Sequence, residues 1–392
     1  MGARLRPCLF VIRVASKGVM TMRKTTRGLV ALGAVVGLVG LGVGIGRGQG
    51  AKLPPLPAPQ NVPQAEAVTD GPYQPTAIVQ GGVVVTLYPA GSTFLNQKRV
   101  KEAEQYSMSQ AVPGRINSIV NIHNPSIEVH TVDGGINTGT AVILVAGGGH
   151  RTLNVGGEGA DFVPFFLNYG VNTVIVRNRL RRDGYDVPTD ATYDVQQAIR
   201  MVRAHAADWK IDPHKIGVMG FSAGAELASG AAVFYDRFDK ANSGADDPLA
   251  GVSSRPDFVA LVYPGPTPFA PDRTVPVVPR NAPPTFLICG GSDDQIHALW
   301  ADDYFRAFLK AGVPNLEMHI YGNGRHPGDP LRDGTHMSGG LTDRNGIPFG
   351  TWQFRFVDWF RDLGYLGKPG VETKADKDVE YSVSQPVKEP GH

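Results

Sequence analysis

Short runs of consecutive apolar residues alternate with segments of helical period through the middle of the chain. The apolar runs lie at residues 141–146, 171–176, 216–219, 258–263 and 285–289, and the mixed segment 316–321 supplies a further strand. Each has the length of a strand buried on both faces of a sheet. Between them, residues 161–169, 193–207, 225–233 and 298–311 suit helices, and residues 351–363 supply another after the last run. The pattern is clearest at 193–207, where Val195, Ala198, Ile199 and Val202 share one helical face. Strands that alternate with helices predict βαβ units. The expected fold class is therefore α/β, with a mostly parallel central sheet flanked by helices.

The two ends read differently. Residues 1–50 contain Arg23, Lys24 and Arg27, then an uncharged stretch at 28–46 rich in Leu, Val and Gly, then small residues at Gly48 and Gly50. That order is expected of a secretory signal, with a retained membrane anchor as the alternative. The protein is accordingly expected to be secreted or periplasmic, and membrane-bound only if this segment is kept. Residues 51–75 are Pro-rich and predict an extended linker. Residues 76–115 form an N-terminal extension. In it, Gly81 and Gly82 between two β-prone runs suggest a hairpin at 77–88, and the charged stretch 92–106 suggests an exposed helix. Two further β-prone segments, 116–122 and 127–132, flank Asn124-Pro125, and the main domain is expected over 116–367. Residues 368–392 are charged, contain prolines and lack periodicity, which predicts a disordered tail.

Composition narrows the functional classes. A formal net charge of +2 on 392 residues offers no basic surface for nucleic acid and no strong field for an acidic polymer. Two cysteines, Cys8 and Cys289, cannot build a disulfide framework, and Cys289 ends an apolar run and is expected in the core.

The chemistry concentrates at Gly220-Phe221-Ser222-Ala223-Gly224, which follows the apolar run 216–219 and precedes a small-residue helical segment. A G-x-S-x-G pentapeptide between a strand and a helix is a nucleophile elbow. The turn is sharp, so side chains at its two glycines would crowd the neighbouring strand and helix. Ser222 becomes the candidate nucleophile. It needs an acid and a base, which follow the serine in chain order in such folds. Asp293 and Asp294 both emerge after the strand at 285–289, and Asp294 is favoured because an apolar residue two positions on can dock while the carboxylate faces the base. His326 follows the strand at 316–321 through Gly322-Asn323-Gly324-Arg325 and is the favoured base, with His336, His319 and His297 as rivals. Backbone N–H groups of Ala223 and of the triplet Gly147-Gly148-Gly149 are suited to an oxyanion hole. His326, Asp329, Asp333 and His336 lack the spacing of a specific metal site, and no metal or other cofactor is expected. Trp300, Trp352 and Trp359 fall on apolar helical faces and are expected in the core rather than stacked on a sugar.

With these residues in view, the chain resembles the secreted acetyl-esterase branch of the α/β-hydrolases. That branch includes acetylxylan-esterase-like and feruloyl-esterase-like proteins and is related to hormone-sensitive-lipase-like esterases. The resemblance rests on N-I-H-N-P at 121–125, A-G-G-G-H at 146–150, Glu158-Gly159, Arg179-Leu180, the segments 194–206, 212–228 and 255–264, Ser292 to Ile296, and Gly324 to His326. It implies an α/β-hydrolase fold, Ser222 as nucleophile, Asp294 as acid and His326 as base. It also implies an oxyanion hole from Gly148, Gly149 and Ala223, and a small-molecule or oligosaccharide ester as substrate. Ala146 stands where the family usually has histidine or proline. A serine peptidase of prolyl-oligopeptidase type would share the elbow, but the segment before residue 116 is too short for its propeller. A non-catalytic carbohydrate-binding relative would not need all three triad residues.

Overall fold

A computed structural model describes residues 71–110, 112–244, 247–269, 278–291, 295–322, 326 and 351–386, together with positions 56, 57 and 59. Its elements run in chain order as follows. The first four strands are β1 (Val83–Thr86), β2 (Gln105–Met108), β3 (Ile116–Val120) and β4 (Ser126–His130). Next come β5 (Ala141–Val145), α1 (Phe162–Leu167), β6 (Asn172–Arg177), α2 (Thr192–Ala204), β7 (Ile216–Phe221) and α3 (Ala223–Ala241). The last are β8 (Val259–Val262), β9 (Thr285–Gly290), α4 (Gln295–Lys310), β10 (Glu317–Tyr321), α5 (Trp352–Leu363) and α6 (Lys374–Ser384).

Among the described residues, the main sheet has eight strands in the order β1-β4-β6-β5-β7-β8-β9-β10. The β1–β4 and β4–β6 pairs are antiparallel, and every pair from β6 to β10 is parallel. The continuous apolar runs account for this. All five residues of β5 are fully buried, which only a strand covered on both faces allows. The chain leaves β5 for β6 on one side through α1, then returns past it through α2 to β7 on the other. With right-handed crossovers, this puts α1 on one face and α2 and α3 on the opposite one. Contacts agree: Phe162 and Phe166 of α1 meet Trp352 and Phe356 of α5 at ring-centroid distances of 6.1 Å each. Trp352 and Trp359 are buried, as expected of core residues, and so is Cys289, whereas Trp300 on α4 is only half-buried. The strand order reverses between β5 and β7, and open α/β sheets bind ligands beyond the C-terminal ends of the strands at such a reversal.

Three expectations at the ends are corrected. The Gly81-Gly82 turn forms, with the Gly82 N–H donating to Val79 O at 3.2 Å, but no hairpin follows from it. The Ile78 and Val79 amides donate instead to the Glu128 carboxylate at 2.7 and 2.9 Å, and β1 pairs with β4. Residues expected in an extension thus supply an edge strand of the main sheet. The stretch 92–106 is not a helix. Ser92 Oγ and Asn96 Oδ1 accept from the Phe94 and Lys98 amides, a local competition that disfavours helix, and Gln105–Met108 pairs with β3 in a separate two-stranded sheet. Nor is the C-terminal region without structure. α6 begins at a capping box in which Thr373 Oγ1 accepts the Asp376 N–H at 3.0 Å, and the Asp376 carboxylate accepts the Thr373 N–H at 3.3 Å. The T-x-x-D spacing was visible in the sequence. Residues 1–50 and 387–392 lie outside the described residues, and so does the segment expected to be a secretory signal or anchor. Among the described residues, no helix is long and apolar enough to cross a membrane.

Candidate active site

β7 ends at Phe221, and Ser222 turns the chain into α3 with φ 50° and ψ −120°. A non-glycine residue in that region is strained and holds only where its surroundings impose it. Here the Ser222 N–H donates to Val262 O at 2.9 Å and its carbonyl accepts the Gly265 N–H at 3.2 Å, so the end of β8 clamps both sides of the turn. Added Cβ atoms at Gly220 and Gly224 would collide with the Gly224 and Val145 carbonyl oxygens respectively. The elbow is therefore tied to glycine by its neighbours. α3 is 19 residues long and starts at Ala223, directing its N-terminal N–H groups toward the serine.

Ser222 Oγ and His326 Nε2 lie 2.9 Å apart. Two residues 104 positions apart in sequence thus meet within hydrogen-bond distance. The His326 ring is stacked on His297 with centroids 4.1 Å apart, and it meets the Tyr263 ring edge-on at 5.2 Å. His319, the rival inside a strand, pairs instead with Glu317 at 2.7 Å. Asp293, Asp294 and His336 lie outside the described residues.

On the other side of the serine, the loop after β5 turns back tightly. A Cβ on Gly147 would come within 2.9 Å of Ser222 Cβ, so the loop passes directly over the nucleophile. Gly148 and Gly149 have φ of 129° and 62°, and His150 follows at 57°. The Gly148 carbonyl closes the turn by accepting the Arg151 N–H at 3.0 Å. The glycines are needed for this path. His150 Nε2 lies 3.1 Å from the Glu226 carboxylate, on the first turn of α3.

Two further residues flank the serine: Glu158, which the resemblance marks as part of a Glu-Gly pair of positional role, and Tyr263, which no sequence motif marks. Glu158 sits in a one-turn π-helix, Gly156–Ala160, and is buried. Its Oε2 accepts the Gly147 N–H at 2.7 Å, and its Oε1 accepts the Tyr263 hydroxyl at 2.8 Å. Burial pushes its carboxyl up to about 7, although both hydrogen bonds pull the other way. Removing a carboxylate from water costs several kcal/mol, on the order of 3 or more, unless it is paired. Tyr263 follows the end of β8 with φ 37°, so it joins Ser222 and His150 as a non-glycine residue in the left-handed region. Its sequence signal is slight: an aromatic residue before Pro264-Gly265 at a strand's C-terminal end.

A separate cleft of about 800 Å³, lined by residues including Asp212, His214, Arg255, Asp257 and Glu372, lies by the N-terminal starts of β7 and β8. It is at the wrong end of the sheet to belong to Ser222, which stands at a C-terminal strand end. Among the described residues, no group of His, Cys, Asp and Glu is arranged to hold a metal ion.

The sheet order, the strained serine after β7 and the overlying glycine loop define an α/β-hydrolase fold. The BD-FAE family model matches residues 129–253, the stretch from β4 through the elbow and α3. Over 127 residues the chain is 31% identical to an acetylxylan esterase of Xylanibacter ruminicola, a match spanning 32% of this chain and 23% of that protein. It is 30% identical over 132 residues to endo-1,4-beta-xylanase B of Butyrivibrio fibrisolvens, spanning 31% of this chain and 19% of that one. The chain thus spans only a minor part of the length of these curated relatives. Among solved structures, an acetyl ester-xyloside bifunctional hydrolase from Caldicellulosiruptor lactoaceticus superposes with a TM-score of 0.55 at 23% identity, covering 73% of this chain and 98% of that one. The carboxylesterase Cest-2923 of Lactobacillus plantarum superposes at 0.51 and 17% identity, covering 68% and 99%. These likenesses establish the α/β-hydrolase fold.

Proposed function

We propose that this protein is a serine carboxylic-ester hydrolase that removes an acetyl or other acyl group from a carbohydrate-derived ester. The observation that carries the reading is the 2.9 Å approach of His326 Nε2 to Ser222 Oγ at a strained strand-to-helix turn. In this reading His326 takes the serine proton as Ser222 attacks the ester carbonyl. Asp294 is assigned to hold the imidazole in the required tautomer. The amides of Gly148, Gly149 and Ala223 are assigned to the developing oxyanion, where each donor is worth about 3 kcal/mol. The protonated histidine then gives its proton to the leaving alcohol oxygen. It next accepts one from water, which attacks the acyl-serine and releases the acid with Ser222 restored. None of these steps requires a cofactor.

The substrate class is carried by the similarity to an acetylxylan esterase and to a xylanase. We further assign residues 1–50 to export; N-terminal sequencing of protein recovered outside the cytoplasm tests that assignment. Turnover of nitrophenyl acetate by wild type and by Ser222→Ala tests the chemistry. Wild type is expected to hydrolyse the ester and the variant to lose at least about a thousandfold in kcat. Equal rates would remove the reading. Acetate release from acetylated xylan tests the substrate class.

A further inference from the structure

Glu158 touches both halves of the site just described. One oxygen accepts the N–H of Gly147, the residue that opens the glycine loop over Ser222. The other accepts the hydroxyl of Tyr263, the ring that meets His326 edge-on at 5.2 Å with an interplanar angle of 69°. The two partners are 11 and 105 positions away in sequence and belong to separate strand ends. Among the described residues, no Arg, Lys or His forms an ion pair with this buried carboxylate.

A carboxylate in such a place is costly, and leucine would fill the same volume without that cost. What leucine could not supply is two acceptors pointing to two different loops. The Gly147 N–H, once fixed, sets where the next two peptide planes face. Tyr263 is held at both ends: its N–H donates to Ile288 O at 2.6 Å and its hydroxyl to Glu158. A ring restrained in this way limits how far His326 can rotate away from Ser222. The loop is small where it faces the carboxylate: a Cβ on Gly147 would lie 3.2 Å from Glu158 Oε2. The flanking glycines fit the π-turn against other strands, since a Cβ on Gly156 would lie 2.7 Å from Ile116 O and one on Gly159 3.3 Å from the Ile175 side chain.

We infer that Glu158 is a positioning residue shared by the two parts of the hydrolytic machinery: it orients the oxyanion loop through Gly147 and the base through Tyr263. The inference rests on the ester-hydrolase reading and deepens it. It is tested with Glu158→Leu, Glu158→Gln and Tyr263→Phe beside wild type, assayed on nitrophenyl acetate, with thermal melts to establish folding. Glu158→Leu is expected to lose about a hundredfold in kcat with KM within about threefold of wild type, since a displaced oxyanion loop acts on the transition state. Its affinity for an aryl trifluoromethyl ketone, which forms a tetrahedral adduct on the serine, is expected to fall in parallel. Glu158→Gln is expected to recover to within about fivefold, because its amide oxygen still accepts from Gly147 while its NH₂ donates to the Tyr263 oxygen. Tyr263→Phe is expected to lose about tenfold in kcat.

A folded Glu158→Leu enzyme with kcat within about threefold of wild type overturns the inference, and so does a loss confined to KM. Should Glu158→Leu fail to fold, Tyr263→Phe decides, and a kcat within about twofold of wild type overturns it. Active wild type with unaffected variants sinks the inference alone; an inactive wild type sinks the hydrolase reading and takes the inference with it.

Discussion

His297 and His326 are stacked, with ring centroids 4.1 Å apart and planes 24° from parallel. Trp300 then meets His297 edge-on at 5.0 Å, which steadies the outer ring from α4. The imidazole that reaches Ser222 is therefore bounded by one ring on its face and by Tyr263 at its side. His297, weighed from sequence only as a rival base, packs behind the base. An aromatic pair of this kind is worth about 0.5–1.5 kcal/mol. His297→Ala is thus expected to lower kcat by about two- to tenfold, and His297→Phe to keep most of the activity. Steady-state kinetics of the two variants checks this. An alanine variant as fast as wild type would show that the stack has no part in the reaction.

The elbow should tolerate no side chain at Gly224. A Cβ there meets the Val145 carbonyl oxygen and lies 2.7 Å from the Ala146 carbonyl oxygen. Both belong to the strand and loop that carry the oxyanion candidates. Gly224→Ala is expected to destabilise the fold by about 2–4 kcal/mol and to abolish turnover in whatever remains folded. Urea titration measures the first effect, and a stable, fully active variant would contradict it.

Stability should depend on pH through Glu158. Its carboxyl is raised from 4.5 to about 7 by burial, so in that interval the native state keeps a proton that the unfolded chain releases. The sign follows: wild type loses stability as pH rises through this window, by about 3 kcal/mol in total. Glu158→Gln has no proton to lose there. Unfolding free energies of the two proteins, compared from about pH 4 to about pH 8, should therefore diverge, with wild type falling relative to the variant. Parallel curves would mean that the carboxyl titrates alike folded and unfolded.

A buried charge network holds the edge of the sheet. Arg177 donates to Glu104 at 3.0 Å and to Glu128 at 2.9 Å, all three being buried, and Glu128 also takes the Ile78 and Val79 amides. Removing one partner leaves the others uncompensated in a dry place. Glu128→Ala is expected to cost about 3–5 kcal/mol of stability. Chemical denaturation measures it, and a loss under about 1 kcal/mol would show that the network contributes little.

Much of this molecule is legible from local pattern. The apolar runs that become β5 to β9 and the apolar face of the 193–207 helix follow from the local order of apolar and polar side chains. So does the position of Ser222, because a sharp turn between strand and helix demands small neighbours at fixed spacing. Those signals are confined to a few consecutive residues, which is why a linear reading finds them. The capping box at Thr373 is equally local, but the charged segment after it carries few apolar residues to mark a helix. Other features had no local signature. The Gly81-Gly82 turn looks like a hairpin until Glu128, from another strand, takes the amides that would have paired. Nothing around Glu158 in the chain says that its oxygens are claimed by residues 147 and 263, nor that the ring of residue 297 lies against that of 326. The sequence by itself determined which segments become strands and helices and where the reactive serine stands. Tertiary structure alone decided which distant groups surround that serine, because a buried carboxylate or an aromatic face takes its partner from whatever the packed sheet brings within a few ångströms.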